Sequence, residues 1–210
     1  MKRICFFVLS IFMVFTLSLM SAQADSVPAI GFNPDVNNDW TNGSWNLGWE
    51  FNVNQPVTVT RLGFYDDLKD GLIDSSHDVG IFDNNESLLV SGTVNPVDPL
   101  VGYFRYTNVT PTVLQIGNYR IVSITGSDNY TWEPSDFTVR PEIQFIQYRW
   151  SVYTDIPPTT LIYPDQFYVG YGYFGPNFQF ESTAVPEPTT MLLLGSGLIG
   201  VLGLKRKFRK

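Results

Sequence analysis

Across residues 25–185 apolar side chains alternate with polar ones at a period of two, and no stretch carries the i, i+3, i+4 recurrence of a helix. Such a chain can bury its apolar side chains only by laying strands against one another, so an all-β fold is expected. Nine strands are predicted, over 45–53, 57–65, 79–82, 88–94, 103–106, 119–125, 142–153, 167–174 and 178–181, with clusters of Pro, Gly, Asn and Asp between them. In the 142–153 segment Ile146, Tyr148, Trp150 and Val152 oppose Gln147, Arg149 and Ser151, the alternation of a half-buried strand, and it is expected to be central. In 57–65 the phase breaks, since Val57 and Val59 share one face and Leu62 and Phe64 the other, which predicts a bulge or bend near Arg61. The expectation is a single β-sandwich with jelly-roll-like or immunoglobulin-like layering.

Both flanks of this region are chemically unlike it. At the N-terminus, Lys2 and Arg3 precede an apolar run over 4–20 and an Ala22-Gln23-Ala24 sequence, the three parts of a secretory signal peptide (1–24) with cleavage after Ala24. At the other end a linker (182–190) contains Val185, Pro186, Glu187 and Pro188. An apolar segment (191–204) and a basic tail (205–210) follow, the tail holding Lys205, Arg206, Lys207, Arg209 and Lys210. Fourteen residues of helix reach only ~21 Å, against roughly 30 Å of hydrocarbon, so the segment predicts a short hydrophobic helix that anchors transiently in the inner membrane. The cations hold the tail at the cytoplasmic face. This order of parts resembles the PEP-CTERM sorting signal of bacterial exported proteins. The resemblance implies an exosortase-type processing enzyme that recognises Pro186, Glu187 and Pro188 and removes the segment after them, and delivery to the cell surface or an exopolysaccharide matrix such as biofilm.

The expected mature domain (25–181, with its linker) has the size of one domain with one core. The single cysteine, Cys5, falls in the signal, which excludes disulfides and thiol chemistry from the mature chain. Residues 25–185 hold six Lys and Arg against nineteen Asp and Glu, a net charge of −13. That charge excludes nucleic acid as a partner.

A second resemblance covers residues 31–125. The strand Pro56-Val57-Thr58-Val59-Thr60-Arg61-Leu62-Gly63-Phe64-Tyr65-Asp66, then Gly71-Leu72, Ser76-His77-Asp78-Val79-Gly80-Ile81-Phe82-Asp83 and Gly117-Asn118-Tyr119-Arg120-Ile121, are similar to a domain of unknown function in bacterial surface proteins. The resemblance implies a β-sandwich and an extracellular setting, and no catalytic residue.

Three groups of residues could carry chemistry. Asp66, Asp70, His77 and Asp83 lie in an acid-rich stretch that offers hard oxygen ligands for calcium, although an EF-hand register starting at Asp66 places Leu68 and His77 at ligand positions and fails. The competing reading is that the acids close turns and His77 holds two strands together, with no cofactor. Glu50, Glu133, Glu142 and Glu181 are the carboxylates available to a glycoside hydrolase, but no spacing pairs them, and one histidine without a nucleophile motif gives no hydrolytic triad. The expectation is a protein that is not an enzyme. The aromatic content is in excess of what a small sandwich core uses, since five Trp and eleven Tyr all fall in the mature domain. Trp40, Tyr130, Trp132 and Tyr163 are therefore candidate stacking surfaces for extracellular polysaccharide, as in a carbohydrate-binding module, and the run from Tyr168 to Phe174 alternates rings with glycines. Trp45, Trp49 and Trp150 are assigned to the core. Asn-x-Ser/Thr sequences at Asn42, Asn85, Asn108 and Asn129 read as turn formers.

Overall fold

The computed structural model describes residues 25–35, 39–41, 43–151, 158–168 and 172–182. The signal peptide with Ala22 and Ala24, the sorting residues Val185–Pro188, the 191–204 segment and the basic tail lie outside the described residues, as does Asn42. Among the described residues every element is a strand, and no helix is long and apolar enough to cross a membrane.

In chain order the strands are β1 (Val27–Pro28), β2 (Ile30–Asn33), β3 (Asp39–Trp40), β4 (Asn46–Val53), β5 (Val57–Tyr65), β6 (His77–Asp83), β7 (Leu88–Val94) and β8 (Leu100–Val101). They continue as β9 (Phe104–Leu114), β10 (Gly117–Ile124), β11 (Tyr130–Trp132), β12 (Ser135–Val139), β13 (Ile143–Trp150), β14 (Gln166–Tyr168), β15 (Tyr173–Phe174) and β16 (Pro176–Ser182). Two antiparallel sheets form the body, one ordered β1-β16-β5-β9-β8 and the other β14-β13-β4-β10-β6-β7. A small sheet, β15-β11-β3, and the pair β12-β2 complete it.

The two large sheets face each other across one core. On β4 the alternation turns Trp49, Phe51 and Val53 inward, where they meet Phe178 and Phe180 of β16. Trp49 stacks on Phe178 with ring centroids 5.9 Å apart, and its indole Nε1–H donates to the carbonyl of Pro176 at 2.9 Å. A buried indole thus fills the interior and also satisfies its one polar atom, by bonding to the opposite sheet. Asn177 joins a further strand in the same way: its amide donates to Ile30 O (2.9 Å), and its carbonyl accepts from Phe178 N (2.8 Å).

The register break expected at Arg61 is present: the β5–β9 pairing shifts between Val59 and Arg61, and the β5–β16 pairing between Gln179 and Phe180. Two expectations need correction. The 142–153 strand is not central: β13 has only the three-residue β14 beyond it, and the middle of the sheet is β4 and β10. A shift between Phe145 and Gln147 also inverts its phase, so Ile143 and Phe145 point inward together with Tyr148, while Ile146 is exposed. The 167–174 strand is divided, because β14 pairs with β13 and β15 with β11 in a different sheet.

Replacing Phe178 with Ala removes the ring against which Trp49 stacks, in a site that cannot collapse because two sheets hold it open. The expected loss is about 3–5 kcal/mol, read as a lower urea midpoint with an unchanged slope. A loss under ~1 kcal/mol would mean that the sheets are not held together there.

Candidate functional site

The inner face of the six-stranded sheet continues beyond the core. Leu47 on β4 and Tyr148 and Trp150 on β13 share the inward face with Trp49 and Phe51, but lie past the region that β16 covers. The small sheet closes over them instead, bringing Tyr130 and Trp132 from β11 and Tyr173 from β15. Between these layers is a cavity of about 330 Å³, whose lining is eight aromatic side chains and Leu47. Trp40 and Tyr168 stand at its exposed rim, 50% and 64% accessible. Pairing of Tyr148 with Tyr168 places both on the same side of the sheet.

The rings hold one another at fixed angles. Tyr173 is edge-on to Tyr130 (5.2 Å) and steeply inclined to Tyr148 (5.1 Å), and it stacks with Trp132 at 6.0 Å; Trp45 meets Trp150 edge-on at 6.2 Å. Gly172 is needed here, because a Cβ at that position would lie 2.8 Å from Cβ of Tyr148. Burial, with Tyr173 nearby, pushes the Tyr130 phenol up to about 12, so it stays neutral through the physiological range. Among the described residues, no Asp, Glu, Lys or Arg lines the cavity.

Of the four candidate stacking residues, the structure brings Trp40, Tyr130 and Trp132 together and places Tyr163 elsewhere. Tyr163 belongs to a strap, residues 158–165, laid across the outer face of the same sheet. Its ring lies 5.8 Å from Phe82, with the Arg120 guanidinium 4.3 Å from the ring centroid. Trp49 is core as expected, whereas Trp45 and Trp150 line the cavity rather than the main core. Period two alone put Tyr148 and Trp150 on one face; that this face extends beyond its covering sheet depends on tertiary packing.

The four acid-rich-loop residues are not brought together. Asp66 is buried against Arg105, accepting from its Nε at 2.6 Å, and Asp70 is exposed in the loop after β5. Asp83, at the far end of β6 from His77, caps a turn by accepting from the amides of Asn85 (2.8 Å) and Ser87 (2.9 Å). His77 instead joins Asp74 and Asp128, with one candidate ligand atom from each lying within 4.8 Å of the others. Each of the three side chains is hydrogen-bonded within the protein. Asp128 accepts from the amides of Ile73 (2.7 Å) and Asp74 (2.8 Å) and faces His77 Nε2 at 2.8 Å, and Asp74 accepts from the Ser127 amide at 2.6 Å. His77 Nδ1 lies 2.9 Å from the Ile124 carbonyl. The ring also stacks on Phe64 at 3.9 Å. Gly126, at φ 58°, permits the turn and leaves room for the Asp74 carboxylate. These bonds clasp the β5–β6 loop to the loop before β11.

Burial alone would raise the Asp128 carboxyl, but the bonds from His77, Asp74 and Ile73 outweigh it and hold the group below the usual carboxylate range. A depressed folded value means that the stabilisation is complete above the ordinary carboxylate value and is lost as pH falls below it. Asp128→Ala strands His77 and two amides, with an expected cost of about 3–5 kcal/mol; Asp128→Asn should flatten the acid limb of a stability-against-pH profile. If the clasp needs no ion, EDTA leaves the melting midpoint unchanged, whereas a fall restored by calcium would make the cluster a metal site.

Comparison with known proteins bears on the end of the chain. A search of curated proteins and a search of solved structures each give no match. Residues 184–207 match the PEP-CTERM protein-sorting motif, which implies exosortase-dependent export to the cell surface, with exosortase as processing partner.

Proposed function

We propose that this chain, exported and released from a transient inner-membrane anchor, serves as a structural or adhesive component of an extracellular polysaccharide matrix, and that the aromatic cavity is where it holds the glycan. The observation that carries this reading is the convergence of eight rings, from four separate parts of the chain, on one partly open cavity. A pyranose presents apolar C–H faces to such rings, and a preformed site lined by rigid side chains loses little entropy on binding. Position supports it too. Ser182 pairs with Val57 at the opposite end of the body, and Val27 pairs with Phe180 nearby, so the last described residue of β16 lies about 20 Å of strand away from the cavity. A body tethered by its C-terminus would present the cavity outward.

Binding rather than hydrolysis is proposed because the glutamates do not converge on the cavity. Glu50 lies on the outer face of the sheet, with Asn118 donating at 2.7 Å, Gln147 at 2.8 Å and Arg149 Nε at 2.6 Å. Burial would raise its carboxyl, yet these bonds and the Arg149 charge hold it below the usual range, which suits an ion pair and not a general acid.

The secreted chain should be retained on exopolysaccharide prepared from its host, and Trp40→Ala combined with Trp132→Ala should cut that retention roughly tenfold or more, as for removal of two stacking contacts. Undiminished retention, with the variant's melting midpoint intact, would remove the cavity from the account.

A further inference from the structure

Resting on the glycan reading above, we infer that the cavity prefers a pyranose bearing a free, protonated amino group over the corresponding neutral or acidic sugar. Sugar sites that read hydroxyls do so with carboxylates, amides or guanidinium groups, and among the described residues the lining has none: its side-chain polar atoms are phenol hydroxyls and indole N–H groups. What eight rings offer in quantity is π-face, the negative side of each ring's quadrupole, which attracts a cation and repels a carboxylate.

The surroundings have the same sign. The region 25–185 carries −13, and its few cations are held elsewhere. Arg149 is next to Tyr148 and Trp150 in sequence but on the outer face, paired with Glu50. Arg120 reaches across that same face to the Pro164 carbonyl at 2.7 Å. Arg105 is bound to Asp66, Lys69 lies 3.6 Å above the Tyr103 ring, Arg61 donates to Asn108 at 2.9 Å on the other sheet, and Arg140 lies at the Val53 end of β4, its amide bonded to the Ala29 carbonyl at 3.1 Å. Acids, by contrast, sit close behind the small sheet. Asp39 adjoins Trp40 and accepts the Tyr65 hydroxyl at 2.9 Å; burial raises its carboxyl, the bonds from Tyr65 and Thr131 oppose that rise, and the charges of Asp67 and Asp35 add to it. An ammonium entering the cavity therefore meets ring faces with a negative field behind them, and a uronate meets the same field with the wrong sign.

The test titrates the secreted chain, by its tryptophan fluorescence, with three trimers of equal length: glucosamine, N-acetylglucosamine and galacturonic acid. The glucosamine trimer should bind roughly tenfold tighter than its N-acetylated counterpart, the scale of one cation over aromatic faces. The galacturonate trimer should bind least. Raising NaCl from 0.05 to 0.5 M should narrow the gap between the first two, and Trp40→Ala or Tyr168→Ala, both at the exposed rim and outside the core, should weaken the glucosamine trimer most. Equal or tighter binding of the N-acetylated or acidic trimer, or a gap that salt does not narrow, overturns the inference while leaving a glycan site in place. Failure of all three to bind overturns the glycan reading as well.

Discussion

The contact between Trp49 and β16 is the one on which the remaining architecture depends. Each large sheet is apolar on its inner side, and the sandwich is stable only if those faces meet without leaving a buried polar atom unpaired. Trp49 meets both demands at once, by stacking on Phe178 and by donating its N–H to the Pro176 carbonyl. The bond also fixes how far β16 reaches along the facing sheet. Since Pro176 begins β16, the inner face beyond Trp49, at Leu47, Tyr148 and Trp150, has no strand of that sheet opposite it.

The aromatic cavity follows from that shortfall. A strand face left uncovered by the second sheet must be covered by something else, and the three short strands that do so bring bulky rings in place of a flat apolar layer. Rings packed edge-on to one another do not fill space as aliphatic chains do, and the volume left between them is the cavity. On the outer side of the same sheet the strap at 158–165 is bound by Asn46, Arg120 and Arg149, whose partners include the carbonyls of Thr160, Pro164 and Asp165. That strap leads into β14 and so delivers Tyr168 to the cavity rim. The Glu50–Arg149 pair therefore supports the cavity from behind: it orients the side chain between Tyr148 and Trp150 and thereby holds the strand that presents them.

The His77–Asp128–Asp74 clasp orders an acid-rich loop through hydrogen bonds between side chains and backbone amides. Carboxylates here accept backbone amides from the opposite loop, and the exchange is reciprocal, since Asp128 binds the amide of Asp74 and the side chain of Asp74 binds the amide of Ser127. Amides bonded in this way offset the charge that Asp74 and Asp128 would otherwise concentrate.

The amino-acid sequence by itself determined the all-β character, the break at Arg61, the compartment and the sorting end, because each depends on local order: alternation along one strand, or composition within one segment. It also indicated that aromatic residues exceed the needs of the core, and it placed Trp40, Tyr130 and Trp132 among the candidates. Only the tertiary structure decided that these three meet one another and are joined by Tyr148, Trp150, Tyr168 and Tyr173, that Tyr163 lies on the opposite side of the sheet, and that His77 pairs with Asp128 rather than with Asp66, Asp70 or Asp83. The physical reason is range. A period reports which residues share a face, whereas the length of strand that covers that face, and the loop that a carboxylate reaches, are set by contacts between residues 50 to 130 positions apart in the chain, such as Trp49 with Pro176 and His77 with Asp128.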